Sequence, residues 1–120
     1  MRTTNGNIMR YFPIFIDTQA QDCLVVGAGE VAARKVELLL KTEANITVIA
    51  PEVCDTIVKY ADQGDVQIKQ RPFEDNDVQQ QTLVIVATNT PQLNQHISLI
   101  AKQRHLMVNV VDNPSLCSSI

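Results

Sequence analysis

Four short runs of the chain, "CLVVG" at 23 to 27, "ITVIA" at 46 to 50, "LVIVAT" at 83 to 88 and "MVNVV" at 107 to 111, are apolar almost without interruption. A strand with one wet face alternates apolar and polar residues. A strand lacking that alternation must bury both faces, which requires helices on either side of a parallel sheet. A fifth candidate, "VQIK" at 66 to 69, is shorter and more polar. Between the runs lie stretches of helical period at 30 to 42, 52 to 63 and 91 to 104. Val31, Ala32, Val36, Leu39 and Leu40 fall near one face of the first, and Leu93, Ile97, Ile100 and Ala101 keep helical spacing in the last. Pro51 and Pro91 stand at or near the start of the second and third, where a missing N–H costs least.

Strand alternating with helix is the order of a parallel sheet joined by right-handed crossovers. The expected fold is therefore an α/β, Rossmann-type doubly wound sheet with strand order 3-2-1-4-5. The segment "RPFEDNDVQQQ" at 71 to 81 is too polar for a crossover helix and predicts only a short helical turn around 74 to 79. A length of 120 residues supports one hydrophobic core, hence a single domain over 11 to 120 behind a flexible tail at 1 to 10. No apolar run approaches the ~20 residues of a membrane span. The polar start "MRTTNGNIMR" lacks a secretory core, which makes a cytoplasmic address the expectation.

A net charge of −3 and the absence of a basic stripe interleaved with aromatics argue against nucleic acid as a partner. Cys23, Cys54 and Cys117 are too far apart for a zinc-ligand pattern and odd in number, so they read as small buried or half-buried residues. His96 and His105 read as helix-surface or helix-end residues, and no metal site is expected.

Gly27-Ala28-Gly29-Glu30-Val31-Ala32 fits G-x-G-x-x-G/A and stands where that pattern has physical meaning, after a buried strand and at the opening of a helix. Gly27 permits the tight turn, Gly29 lets backbone approach a pyrophosphate, and Ala32 lets the helix pack close to the sheet. The first-turn N–H groups and the positive end of the helix dipole then suit phosphate anions. After the second strand come Ala50, Pro51 and Glu52; Glu52 either meets a ribose or favours the N-terminus of the next helix. No Arg or Lys follows that strand closely, so NAD is expected over NADP.

"VATNTPQLNQHI" ends a strand at the topological switch point, so Thr88 and Asn89 either bond a coenzyme or, with Thr90, cap the following helix. Asp112 directly follows the apolar run at 107 to 111. It reads either as a carboxylate aimed into the same crevice and suited to proton exchange, or as ordinary Asp-Asn-Pro turn chemistry.

Taken in order and spacing, "YFPIFID", "VVGAGEVAARKVELLL", "ITVIAPE", "RPFE", "VIVATNTPQLN" and "VNVVDNPSLC" resemble the NAD-binding domain of siroheme synthase and of the precorrin-2 dehydrogenases/sirohydrochlorin ferrochelatases, from residue 11 onward. The resemblance implies NAD-dependent oxidation of precorrin-2 to sirohydrochlorin, with ferrous iron inserted into that product by many members. It carries the family's catalytic aspartate onto Asp112, and its cofactor contacts onto Gly27, Ala28, Gly29, Glu30, Val31, Pro51, Glu52 and the surroundings of Thr88. It also implies a homodimer built on a helical region beyond the "NVVD" segment, so this chain is expected to be a fragment that binds NAD without turnover. The substrate is a polycarboxylate; Arg34, Lys35 and Arg71 are candidate counter-charges, each with the simpler reading of surface charge. The competing reading from another class is a non-catalytic NAD(H)-sensing regulatory domain, in which Asp112 has no role.

Overall fold

The computed structural model describes residues 21–111; the expectations for the tail at 1–10, for Asp112 and for Cys117 lie outside the described residues. The chain runs through β1 (Asp22–Val26), α1 (Glu30–Leu39), β2 (Asn45–Ile49), α2 (Asp55–Asp62) and β3 (Gln67–Lys69). A single 3-10 turn (Asp75–Asp77), β4 (Leu83–Val86), α3 (Pro91–Gln103) and β5 (Met107–Val110) follow. Every strand pair is parallel and the order is β3-β2-β1-β4-β5, as the alternation of runs predicts.

The runs of β1, β2 and β4 are continuous because successive residues serve two different cores, whereas β5, expected to be buried on both faces, stands at the sheet edge and leaves Met107 and Val110 exposed. Cys23 and Val25 of β1, with Ile46, Val48 and Ile85, face Ala32, Val36 and Leu39 of α1 and Ile57 of α2. Leu24 and Val26, with Val84 and Val86, face Ile97, Ile100 and Ala101 of α3. Each large aliphatic side chain so buried contributes about 1.5–3 kcal/mol, in keeping with the lack of any polar residue from Cys23 to Val26 and from Leu83 to Val86.

The second face carries only one helix among the described residues, and the β3–β4 connection completes its cover. Val78, fully buried in that connection, inserts beneath α3, and its carbonyl accepts from the Arg104 guanidinium at the helix end. The 3-10 turn is closed by a reciprocal cap in which the Glu74 N–H donates to Asp77 Oδ2 at 2.7 Å. Arg71 forks onto the same Asp77 carboxylate at 2.9 and 2.6 Å.

The start of the second helix differs from the sequence expectation. The second helix opens at Asp55, not 52, because residues 51–54 bend to bring the Cys54 N–H onto the Ala28 carbonyl at 2.9 Å. Pro51 therefore belongs to that bend and not to the helix, whereas Pro91 does occupy the first helical turn of α3. His105 takes the left-handed conformation, φ 60°, just past the end of α3, and exposed His96 pairs with Asp75 at 2.8 Å. Among the described residues no helix is long and apolar enough to cross a membrane, and no group of three His, Cys, Asp or Glu could hold a metal ion.

Candidate functional site

The carboxyl ends of β1, β2, β4 and β5 are held level by main-chain bonds that continue past the strands. Gly27 N–H donates to Ile49 O at 2.9 Å, Ala87 N–H to Val26 O at 2.8 Å, and Val111 N–H to Val86 O at 2.8 Å. This row brings Gly27, Ala50, Ala87 and Val111 to one edge. β1 lies between β2 and β4, whose crossovers leave on opposite sides, so a crevice opens at the switch point.

The two glycines of the turn have different reasons. Gly27 has φ +113°, and a Cβ built on it would lie 2.4 Å from the Ala87 carbonyl oxygen. Its bareness thus satisfies the protein itself. Gly29 has ordinary extended backbone, φ −92° and ψ −163°, and a Cβ there would meet no protein atom within 4 Å. Among the described residues neither conformation nor packing demands glycine at 29, so the missing side chain leaves the backbone there open to approach.

That approach leads to the start of α1. The hydrogen-bond ladder begins with Ala33 N–H donating to Gly29 O at 2.9 Å, and no side chain caps this end. The N–H groups of Glu30, Val31 and Ala32 precede the ladder and point out of the helix toward the side of Gly29. Ala32 is fully buried against the sheet, as its place in the glycine motif requires. The free amides, the helix dipole and a bare Cα at one spot form an anion cradle whose donors fit a pyrophosphate. Glu30, exposed in the first turn, adds the only negative charge of that turn.

Cys54 braces the cradle from the β2–α2 loop. Its N–H donates to Ala28 O at 2.9 Å and its thiol to Gly29 O at 3.7 Å. Pro51 and Glu52 are both exposed in the same loop, and the Gln70 side chain donates to Pro51 O at 3.3 Å. Glu52 lies two residues before Cys54, the N-cap of α2, and the acidic residue within the first turn of that helix is Asp55. Arg71 is likewise no loose counter-charge, being committed to Asp77. Their hydrogen bond is the main cause holding the Asp77 carboxyl below the usual carboxylate range and raising the Arg71 guanidinium. Burial, with Asp22 nearby, pushes the Cys23 thiol up to about 11, the signature of an inert core cysteine.

At the end of β4, Thr88 lies half-buried and Asn89 exposed. Thr90 is the N-cap of α3 by position but makes no side-chain capping bond. Thr88 instead engages Asn94, a buried residue that sequence reasoning missed. A signal was present: Asn94 shares a helix stripe with Ile97 and Ala101, where an amide is expensive to bury unless it has a partner. Cys54 and Gln70 carried no comparable signal, because their contacts join segments far apart in sequence. A concavity of about 450 Å3 lies along α3, lined by Gln92, Gln95, His96, Ser98, Leu99 and Lys102, and includes no residue of the glycine turn or of the β4 end.

Residues 14–120 match the family described as "Putative NAD(P)-binding". The siroheme synthase of Pseudoalteromonas atlantica is 57% identical over 112 residues, covering 93% of this chain and 24% of that one. The siroheme synthase of Vesicomyosocius okutanii subsp. Calyptogena okutanii is 44% identical over the same shares. Among solved structures, "SirC, precorrin-2 dehydrogenase" superposes with a TM-score of 0.68 at 29% identity, over 78% of this chain and 45% of that one. The chain spans about a quarter of the length of the curated relatives it matches.

Proposed function

The chain belongs to this NAD(P)-binding family, in the company of siroheme synthases, and from that premise we propose that it holds NAD across the β1–β4 crevice and takes part in oxidising precorrin-2 to sirohydrochlorin. The observation that carries the reading is Gly29, bare with no described residue crowding it and set beside uncapped helix amides.

Gly27, Ala28 and Gly29, with the amides of Glu30 and Val31, receive the pyrophosphate; Pro51 and Glu52 flank the adenosine ribose; the turn at Thr88 borders the nicotinamide half. Glu52 at the end of β2, with no nearby Arg or Lys on that loop, favours a ribose bearing a free 2′-hydroxyl over a phosphorylated one. The residues of the glycine turn would hold NAD, which when bound would supply the hydride acceptor for oxidation of the reduced macrocycle. The chain's own part is alignment and proton management. Asp112, the next residue in sequence after Val111, is the carboxylate assigned to removal of the accompanying proton. In the full-length protein the same carboxylate would relay pyrrole protons as ferrous iron, a substrate, is inserted into sirohydrochlorin. That protein is read as a homodimer whose additional segments supply much of the macrocycle site.

Calorimetric titration with NAD tests the coenzyme reading, and Gly29→Val is expected to abolish binding by placing a branched side chain where the diphosphate must lie. Retained affinity in that variant would show the cradle to be elsewhere. For the reaction, the full-length protein with precorrin-2 and NAD should yield NADH absorbance, and Asp112→Asn should suppress it. No NADH from the wild type would overturn the dehydrogenase reading, and unchanged production by the variant would remove Asp112 as the base.

A further inference from the structure

We infer that Asn94 is a positioning residue for the coenzyme: its buried side chain locks the turn after β4, and the Thr88 hydroxyl serves that lock instead of touching the ligand. The inference rests on the NAD reading above and refines one contact within it.

Asn94 is 7% exposed and sits one turn into α3. Its Nδ2 donates to Thr88 O at 3.0 Å, while its Oδ1 accepts from the Thr88 N–H at 3.3 Å and from the Thr88 hydroxyl. One amide thereby grips both main-chain polar groups of a single residue, as a neighbouring strand would. The Thr88 hydroxyl oxygen also accepts from the Thr90 N–H at 3.1 Å, and Thr90 O lies 3.3 Å away as an alternative acceptor. Every polar group of Thr88 is thus engaged by the protein. Donating a hydrogen bond from Thr88 to a ribose or nicotinamide would require breaking one of these contacts.

The lock reaches the phosphate cradle through one residue. Ala87, which precedes Thr88, presents the carbonyl against which Gly27 packs, and Thr88 N itself lies 3.1 Å from the position of a Gly27 Cβ. A turn that relaxes at Thr88 therefore moves the wall of the glycine loop. Asn94 is buried on α3 and touches Thr88, so its influence on affinity is exerted through that turn.

The test compares NAD affinity by calorimetry for the wild type, Asn94→Leu, Thr88→Val, Thr88→Ser and the Asn94→Leu/Thr88→Val double variant, each checked for folding by circular dichroism. Asn94→Leu should weaken binding about tenfold or more. Thr88→Val should weaken it, Thr88→Ser should restore it, and the double variant should bind no worse than Asn94→Leu alone, since both remove one lock. Wild-type affinity in Asn94→Leu overturns the inference. So does additive loss in the double variant, which would mean that Thr88 meets the coenzyme directly. Should Asn94→Leu not fold, Asn94→Asp replaces it with the same expectation, because a carboxylate oxygen would then oppose the Thr88 carbonyl. A wild type that binds no NAD overturns the coenzyme reading itself, an outcome distinct from a wild type that binds while the Asn94 variant is unaffected.

Discussion

The Cα of Gly27 packs against the Ala87 carbonyl so closely that a Cβ would come within 2.4 Å of its oxygen, and this contact between the ends of β1 and β4 defines the floor of the crevice. Gly27→Ala combines that clash with left-handed strain at φ +113° and should destabilise the fold by about 2–4 kcal/mol. Gly29→Ala, with open space around its Cβ and ordinary φ, should change stability by less than about 0.5 kcal/mol while weakening NAD binding. Urea denaturation of the two variants, beside calorimetry, separates the structural glycine from the ligand-facing one.

Glu52 lies in the bend before α2 and is not part of that helix. Glu52→Gln should therefore leave the melting temperature unchanged but lower the affinity for NAD more than that for NADP. Parallel titrations with both coenzymes measure the ratio, and an unchanged ratio would return Glu52 to the solvated surface.

The Arg71–Asp77 fork makes an acid-side prediction. The folded Asp77 carboxyl titrates below its unfolded value, so its stabilising contribution is complete above about pH 4, the unfolded carboxylate value, and is lost as pH falls through the lower folded value. Asp77→Asn should remove this slope and leave a flatter dependence of unfolding midpoint on pH below 4. An identical acid-side slope in the variant would place the titrating group elsewhere.

Cys23 is 1% exposed with its thiol raised to about 11, whereas Cys54 is half-buried at the glycine turn. Alkylation of the native protein near pH 8, followed by peptide mass mapping, should modify Cys54 well before Cys23. Saturating NAD should slow the reaction at Cys54, which braces the Gly29 carbonyl. Equal labelling of both would contradict the burial of β1.

Strand identity and order were legible in the runs 23–27, 46–50 and 83–88 because burial on both faces erases the polar alternation that other strands keep. The absence of a β3–β4 helix was legible too, in the polar residues around Asp75. The start of α2 was not: helical period and Pro51 fit a start at 52, and only the bond from Cys54 to Ala28, across separate units of the chain, shifts it to Asp55. The grip of Asn94 on Thr88 escaped for a related reason, since a polar residue on an apolar stripe announces that a partner exists without saying which.

By itself the amino-acid order determined which segments must be buried on two sides, the parallel arrangement that follows, and the turn where backbone lies bare. These are consequences of local pattern and backbone sterics, written within a few neighbouring residues. Tertiary structure alone decided that Gly27 is bare for Ala87 while no described residue crowds Gly29, that Arg71 is spent on Asp77, and that Thr88 is held from α3. Each depends on which atoms of distant segments come within bonding distance, and such distances are set by the packing of the whole sheet.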